Sequence, residues 1–137
     1  PAATLQDTLY WVLDLFPEEK RTWVRSRLAD HLKAVLVHTL YAKVGGGRVA
    51  AIETLFNNPT IAGHLREGRF DLIPGAMRSG RYGQVSHTEA TLRLIQDKVL
   101  EPMEAYRRCL DRDAFIAACK KADLAFDPRA EGQITEQ

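Results

Sequence analysis

Three consecutive glycines followed by an arginine, Gly45 to Arg48, are the part of this chain that most resembles a phosphate-binding loop. A Walker-type loop has the pattern G-x-x-x-x-G-K-[ST] between a strand and a helix, because its backbone N–H groups and its lysine hold the phosphates. Here no Gly-Lys-Ser/Thr follows, and both flanking segments are rich in Val, Thr, Ile and Tyr, which favour strands. The glycines therefore predict a hairpin turn.

The remaining reactive side chains lack the spacing of a known active site. No H-x-x-x-H, H-E-x-x-H or G-x-S-x-G pattern occurs, and the four histidines are His31, His38, His64 and His87. Cys109 follows two arginines, whose charge would lower a thiol pKa. Both Cys109 and Cys119 are nevertheless predicted to be small buried thiols. The sequence thus contains no self-contained active site.

Composition restricts the class of protein. The chain has 137 residues, 45% of them hydrophobic, and a formal net charge of +1, as expected of one globular unit without a basic surface for nucleic acid. No apolar run approaches the roughly 20 residues that span a bilayer. Two cysteines are too few for a disulfide framework, so a reduced cytosolic environment is expected. The start at Pro1 predicts either removal of a methionine or a piece of a longer protein.

The elements that must position any site are mostly helices. Two helices are predicted before residue 35, over 5–16 and from Pro17, the second with Trp23, Val24, Leu28, Leu32 and Leu36 as its apolar stripe. A β-hairpin is predicted over 35–56. Five helices should follow, starting near Asn58, Phe70, Ser86, Glu101 and Asp111, with Met103, Tyr106 and Leu110 on the apolar face of the fourth. The predicted fold class is α+β, mostly α, with helices and a β-hairpin followed by a small helical bundle.

Three segments follow one another in a distinctive order. "DLFP", Asp14 to Pro17, ends the first helix and precedes a basic helix that contains Val24, Arg25, Leu28 and Leu32. "GRVAAIE", Gly47 to Glu53, follows the turn. "NPTIAGHLREGR", Asn58 to Arg69, then forms a short helix that proline opens and glycine closes.

From Thr8 to Phe115 this series resembles the C-terminal part of the PilT-type ATPases, hexameric motors that retract type IV pili. The short helix resembles their A-I-R-N-L-I-R-E motif. It keeps Ile61, Leu65, Arg66, Glu67 and Gly68, and departs from the motif at Ala62, Gly63 and His64. Pilus-extension and type II secretion motors usually carry paired CxxC motifs before "GRVA". No cysteine lies between Leu32 and Arg48, which favours a retraction-like or DotB-like motor.

The resemblance implies an organisation and a set of partners. Residues 1–56 would be the distal part of a RecA-like ATPase core, 57–126 a C-terminal helical subdomain, and 127–137 a flexible tail. ATP and Mg²⁺ would be cofactors of the full-length parent, with none held by this chain. Partners would be the rest of the motor, neighbouring subunits of a homohexamer and an inner-membrane pilus platform protein. The machine would be cytoplasmic, peripheral at the inner membrane.

The resemblance also assigns candidate site residues. Contact with a partner and transmission of motion fall to Ile61, Leu65, Arg66 and Glu67. The structural family motif comprises Phe16, Pro17, Gly47, Arg48, Glu53 and Gly68. A simpler interpretation makes Ile61 and Leu65 core residues and the Arg66–Glu67 pair a solvated one. If the chain is half of a domain, apolar side chains should also be exposed at Tyr10, Trp11 or their neighbours.

Three interpretations remain open at this level. The chain is part of a motor that is enzymatic only in the full-length hexamer, or a non-enzymatic adaptor or regulator derived from that fold, or an unrelated helical interaction module. The last predicts no β-hairpin over 35–56. An upstream reading frame with G-x-x-x-x-G-K-[ST] would separate the first two.

The chain alone is predicted neither to bind ATP tightly nor to hydrolyse it. Phosphoryl transfer needs a backbone cradle, a lysine and a magnesium-binding acid, which in the family precede the "DLFP" helix. Isothermal titration calorimetry with Mg-ATP should therefore detect no micromolar binding. Micromolar affinity would overturn this prediction.

Overall fold

The computed structural model describes residues 4–78 and 81–131. Its elements are α1 (Leu5–Asp14), α2 (Glu18–His31), β1 (Ala34–Ala42), β2 (Arg48–Phe56), α3 (Pro59–Glu67), a 3₁₀ turn (Phe70–Leu72), α4 (Ile73–Met77), a second 3₁₀ turn (Arg81–Gly83), α5 (His87–Gln96), α6 (Pro102–Arg108), α7 (Arg112–Lys121) and α8 (Pro128–Glu131). The two strands form one antiparallel hairpin. The predicted fold class is confirmed, and the hairpin argues against an unrelated all-helical module.

Helix α1 begins with a capping box. Asp7 N–H donates to Thr4 Oγ1 (3.0 Å) and Thr4 N–H donates to Asp7 Oδ2 (3.2 Å), so two free backbone donors are satisfied. The same hydrogen bonds hold the pKa of Asp7 below its usual value. The helix buries Leu5, Leu9 and Leu13, spaced four residues apart. They form one buried face of the helix that the sequence predicted over 5–16.

The hairpin closes through the predicted glycine turn. Lys43 N–H donates to Gly47 O (3.0 Å), and at the other end Asn57 N–H donates to Lys33 O (2.9 Å). All three glycines, Gly45 to Gly47, have positive φ, between +78° and +106°, which residues with a side chain rarely adopt. In this register the odd-numbered residues share one face and the even-numbered residues the other. The even face exposes four large apolar side chains: Leu36, Leu40, Ile52 and Phe56.

A buried glutamine completes the outer edge of β2. The Gln84 side chain accepts from Phe56 N–H (2.8 Å) and donates to Phe56 O (2.7 Å), as a neighbouring strand would. Beside it, Thr54 and Val85 form an antiparallel bridge. Because Gln84 is only 4% exposed, its carboxamide needs these two partners as much as the strand does.

The chain divides by proximity into two units. The hairpin-turn unit contains residues 39–51 and 87–131, and the helix-pair unit contains residues 4–38 and 52–86 apart from 79–80. The core of the helix-pair unit is one cluster of buried residues: Leu5, Leu9, Leu13, Val24, Ala29, Leu55, Ile61, Leu65, Phe70, Ile73 and Met77. Buried side chains of the hairpin-turn unit include Tyr41, Ile95, Leu100, Phe115 and Cys119. The domain boundaries implied by the resemblance stay a prediction.

Three expectations about inward-facing residues were wrong. Trp23 is 58% exposed, and the Cζ atom of Arg27 lies over its ring, 5.3 Å from the ring centroid. Leu36 is exposed because α2 ends at His31, so this residue belongs to the outer face of β1. Leu110 is exposed because α6 ends at Arg108. The predicted apolar surface on α1 is confirmed, since Tyr10 and Trp11 are exposed.

Part of the predicted tail is helical. Residues Pro128–Glu131 form α8, and residues 132–137 lie outside the described part of the chain, so flexibility of the tail stays a prediction. Within residues 4–78 and 81–131, none of the helices has the length and apolar character needed to cross a bilayer.

Stability of the hairpin-turn unit should depend on the protonation of His87. Tyr41 Oη lies 3.2 Å from His87 Nε2, and burial lowers the pKa of His87 below its usual 6.5. The unfolded chain then binds the proton more readily than the folded chain. The stability that comes from neutral His87 is therefore present above the pKa that His87 has in the unfolded chain. It is lost as the pH falls from that value toward the lower pKa of the folded chain. Thermal unfolding between roughly pH 8 and pH 5 should show a falling midpoint, and His87→Gln should flatten the profile.

The exposed His38 supplies the control. His38→Gln should leave the pH profile of the wild type unchanged. If both variants behaved alike, the dependence would not come from His87.

Candidate functional site at the end of helix α3

Helix α3 is defined at both ends by its own sequence. Asn58 Oδ1 accepts from Ile61 N–H (3.0 Å), and Pro59 occupies the first turn. At the other end Gly68 adopts φ +73°, and Arg69 N–H donates to His64 O (2.9 Å). The helix predicted from "NPTIAGHLREG" is confirmed at both boundaries.

A neighbouring asparagine fixes the end of α2 against this start. Asn57 Nδ2 donates to Ala29 O (3.0 Å) and to Leu32 O (2.9 Å), two carbonyls at the C-terminal end of α2. Asn57 and Asn58 thus bind the end of one helix and the start of the next. The consequence is a close α2–α3 helix pair.

The apolar and charged halves of the candidate motif have different positions. Ile61 and Leu65 are fully buried in the core of the helix-pair unit, which is what the simpler interpretation expected of them. Arg66 and Glu67 are exposed at the last turn. The charged pair is therefore exposed at the end of α3, while the apolar pair anchors the helix. Their part in transmitting motion stays a prediction.

Arg66 connects α3 to α2. Its Nη2 donates to Asp30 Oδ1 at 2.7 Å, and both side chains are about half exposed, 51% each. Surface pairs of this kind contribute about 0.2–1 kcal/mol, so the contact orients the helix ends more than it stabilises the fold. Asp30 was not predicted from sequence, because nothing local links residues 36 positions apart.

Arg25 forms the second contact between α2 and the end of α3. Its guanidinium packs on Gly68, where a Cβ would come within 2.9 Å of Nη1. Its Nη2 donates to Thr22 Oγ1 (3.2 Å), while its buried Nε has no acceptor among the described residues. The positive charge is well placed, since the C-terminal carbonyls of a helix carry partial negative charge. We call the residues Arg25, Asp30, Arg66 and Gly68 the α2–α3 clamp.

Other charges surround the clamp. Arg69 contacts Asp71 through two hydrogen bonds, Nε to Oδ1 and Nη2 to Oδ2, both 3.2 Å. This pairing lowers the pKa of the Asp71 carboxyl and raises that of Arg69. Glu67 thus sits between two paired arginines, and the end of α3 presents a dense mixed-charge surface. Such a surface can dock a protein of complementary charge.

The other motif residues serve other places. Arg21 donates from Nε to Phe16 O (3.2 Å) and pairs with Asp14 (3.1 Å), which fixes the "DLFP" turn before α2. Phe16 packs against the core, and Pro17 is the residue that precedes α2. Glu53 is half-buried on β2. Gly47 and Arg48 belong to the hairpin-turn unit and not to the clamp.

The glycine turn does not fit a nucleoside triphosphate. Arg48 follows Gly47 directly and begins β2, so the turn leads into a strand and not into the N-terminus of a helix. No lysine of a Walker pattern follows either. These residues cannot supply the phosphate cradle and metal-binding acid of an ATPase, and no step of ATP hydrolysis is assigned to them.

Proteins similar to this chain include a pilus retraction ATPase and a twitching motility protein. The type IV pilus retraction ATPase PilT of Pseudomonas aeruginosa is 40% identical over 73 residues, which are 53% of this chain and 21% of that protein. A twitching motility protein of Neisseria gonorrhoeae is 29% identical over 105 residues, 75% of this chain and 28% of that protein. The chain therefore spans less than a third of the length of these relatives. No protein-family profile matches it.

Two solved structures of ATPases also superpose on this chain. The pilus retraction motor PilT with bound ADP superposes with a TM-score of 0.70 at 25% identity, over 81% of this chain and 31% of that one. The Legionella pneumophila ATPase DotB superposes with a TM-score of 0.59 at 17% identity, over 74% and 28%. The second likeness concerns the fold alone.

Two glycines of this helix should respond in opposite directions to alanine. Gly63 lies inside α3, and a Cβ there would meet nothing within 4 Å, so Gly63→Ala should raise the free energy of unfolding by about 0.5–1 kcal/mol. Gly68→Ala should lower it by about 1 kcal/mol or more, because φ is positive and Arg25 must move. Urea denaturation measures both variants, and each serves as the other's control. A neutral or stabilising Gly68→Ala would contradict the clamp.

Proposed function

The chain is homologous to part of the PilT-type motor ATPases, and we propose that it forms the C-terminal region of such a motor, transmitting ATP-driven movement during retraction of a type IV pilus. The observation that carries the proposal is the α2–α3 clamp, which lies at the charged residues kept from the retraction motif. ATP and Mg²⁺ would be held by another part of the motor, since the glycine turn of this chain lacks the Walker pattern.

The clamp supports a mechanical role. Ile61 and Leu65 anchor α3 in the core, while Asp30 and Arg25 hold its last turn against α2. Closely packed helices move as one body, because interiors resist compression. A force that displaces α2 would therefore carry the exposed Arg66 and Glu67 with it. The two side chains then act as the contact that passes the displacement to a partner.

Retraction is favoured over DotB-like secretion by the degree of similarity. Identity reaches 40% with a pilus retraction ATPase, whereas the likeness to DotB is one of fold. The proposed assembly is a homohexamer in the cytoplasm, peripheral at the inner membrane, with a pilus platform protein as partner. The exposed Tyr10 and Trp11 on α1 are apolar surface of the kind that another part of the motor would cover.

Substitutions in a full-length motor should distinguish loss of ATP hydrolysis from loss of transmitted movement. Arg66→Gln and Glu67→Gln should leave ATP hydrolysis within about twofold of wild type and abolish pilus retraction, since a half-exposed ion pair contributes only about 0.2–1 kcal/mol to the fold. Asp30→Asn removes the other side of the ion pair and should match Arg66→Gln. ATPase rate and twitching or retraction speed are scored separately.

Arg93→Gln is the matched control, because Arg93 is an exposed arginine in an ion pair on α5, with Glu89. It should change neither readout. Loss of ATPase activity together with retraction in Arg66→Gln would contradict a transmission role. No effect on either readout would make Arg66 and Glu67 a solvated pair.

A further inference from the structure

A cavity of about 350 Å³ opens beside the turn of the hairpin, wholly within the hairpin-turn unit. Its lining residues are Leu40, Tyr41, Ala42, Gly47, Arg48 and Arg108. The volume lies at the lower end of the range of small-molecule sites, about 300–1,000 Å³. Two of the six lining residues carry a guanidinium group, and this sets the chemistry of the cavity.

The Arg108 guanidinium is fixed by three contacts. Its Nη1 donates to Leu40 O (2.7 Å), its Nε pairs with Glu104 Oε1 (3.1 Å), and its Cζ lies 5.9 Å from the centroid of the Tyr41 ring. No acceptor for Nη2 is found within the part of the chain that the structure describes. The side chain is thus held in one orientation with donors to spare, as a preorganised anion site requires.

Arg48 adds a second positive charge. It lines the same cavity on the exposed side of β2 and forms no ion pair within residues 4–78 and 81–131. Glu104 offsets the charge of Arg108, so the two arginines and this carboxylate leave the site with one excess positive charge. An anion that reaches the cavity can therefore neutralise a charge that the described chain does not.

The rest of the lining is apolar or neutral. Leu40 and Ala42 contribute aliphatic surface, and Tyr41 is 1% exposed. Burial raises the pKa of Tyr41, so its phenol stays protonated at neutral pH. Aliphatic lining beside two guanidinium groups suits a ligand with an oxyanion and a short carbon stem.

We infer that this cavity binds a small organic anion, with its carboxylate or phosphate group between Arg48 and Arg108. The inference is independent of the proposed role of the α2–α3 clamp, since it uses other residues in the other unit. It assigns to Gly47 and Arg48 a binding role in addition to their place in the hairpin.

Nuclear magnetic resonance titration of the ¹⁵N-labelled chain tests the inference. Butyrate and ethyl phosphate are the probes, and saturable shifts are expected at the amides of Gly47 and Arg48 with a millimolar dissociation constant. Arg48→Gln should weaken binding about tenfold, because one of two charge-assisted contacts is lost. Arg48→Lys keeps the charge and should weaken it less. Response to butyrate alone, or to ethyl phosphate alone, would identify the preferred oxyanion.

Arg107→Gln is the control, because Arg107 is exposed on the same helix and does not line the cavity. It should leave the dissociation constant unchanged. Absence of saturable shifts in the wild-type chain would overturn the inference. So would equal binding by the wild type and Arg48→Gln, or equal loss in Arg48→Gln and Arg107→Gln. The exposed position of Arg48 lets the variant fold, which the unchanged dispersion of its other amide signals would verify.

Discussion

A two-stranded hairpin leaves half of its backbone donors and acceptors without a strand partner, and this constraint organises much of the structure. Even-numbered residues of β1 and β2 point their N–H and C=O groups away from the other strand. On β2, Gln84 and Val85 supply the missing partners at Phe56 and Thr54. On β1, Arg108 donates to Leu40 O, and Glu104 lies 3.5 Å from Ala42 N. Residues outside the hairpin thus satisfy backbone groups along both edges, which limits pairing of these edges with other chains.

Structural contacts also fix the orientation of charged side chains that a ligand or a partner could meet. Arg108 is oriented because it completes a strand edge, and its remaining donors are then available to a ligand. Arg25 and Asp30 both lie along α2: Arg25 packs on Gly68, whose positive φ favours glycine, and Asp30 accepts from Arg66. In both places a structural contact fixes a guanidinium at little additional entropy loss. Positioning and stability come from one set of contacts.

Local sequence patterns predicted most of the helices and strands. They did not predict the contacts between segments that are distant in the sequence. The glycine turn, the Asn58 and Asp111 caps and the four-residue spacing of Leu5, Leu9 and Leu13 are written in consecutive residues, and all are present. Trp23 was misplaced because a helix of mixed character has no clear apolar face, so neighbouring elements decide which side is buried. The Arg66–Asp30 contact and the Arg108 site join residues 36 and 68 positions apart. Only the fold brings such pairs together.

Positions that α3 keeps and changes relative to the PilT-type motif that it resembles have different structural roles. Ile61 and Leu65 are the buried anchors, and Arg66 with Gly68 belongs to the clamp. Gly63 has open space where a side chain would lie, and inside a helix glycine costs about 1 kcal/mol relative to alanine. The helix tolerates this because its ends are capped and its buried face is packed, so tertiary contacts outweigh propensity. A helix held at its face and its ends can vary in its middle without moving its last turn, which is the part that a partner would meet.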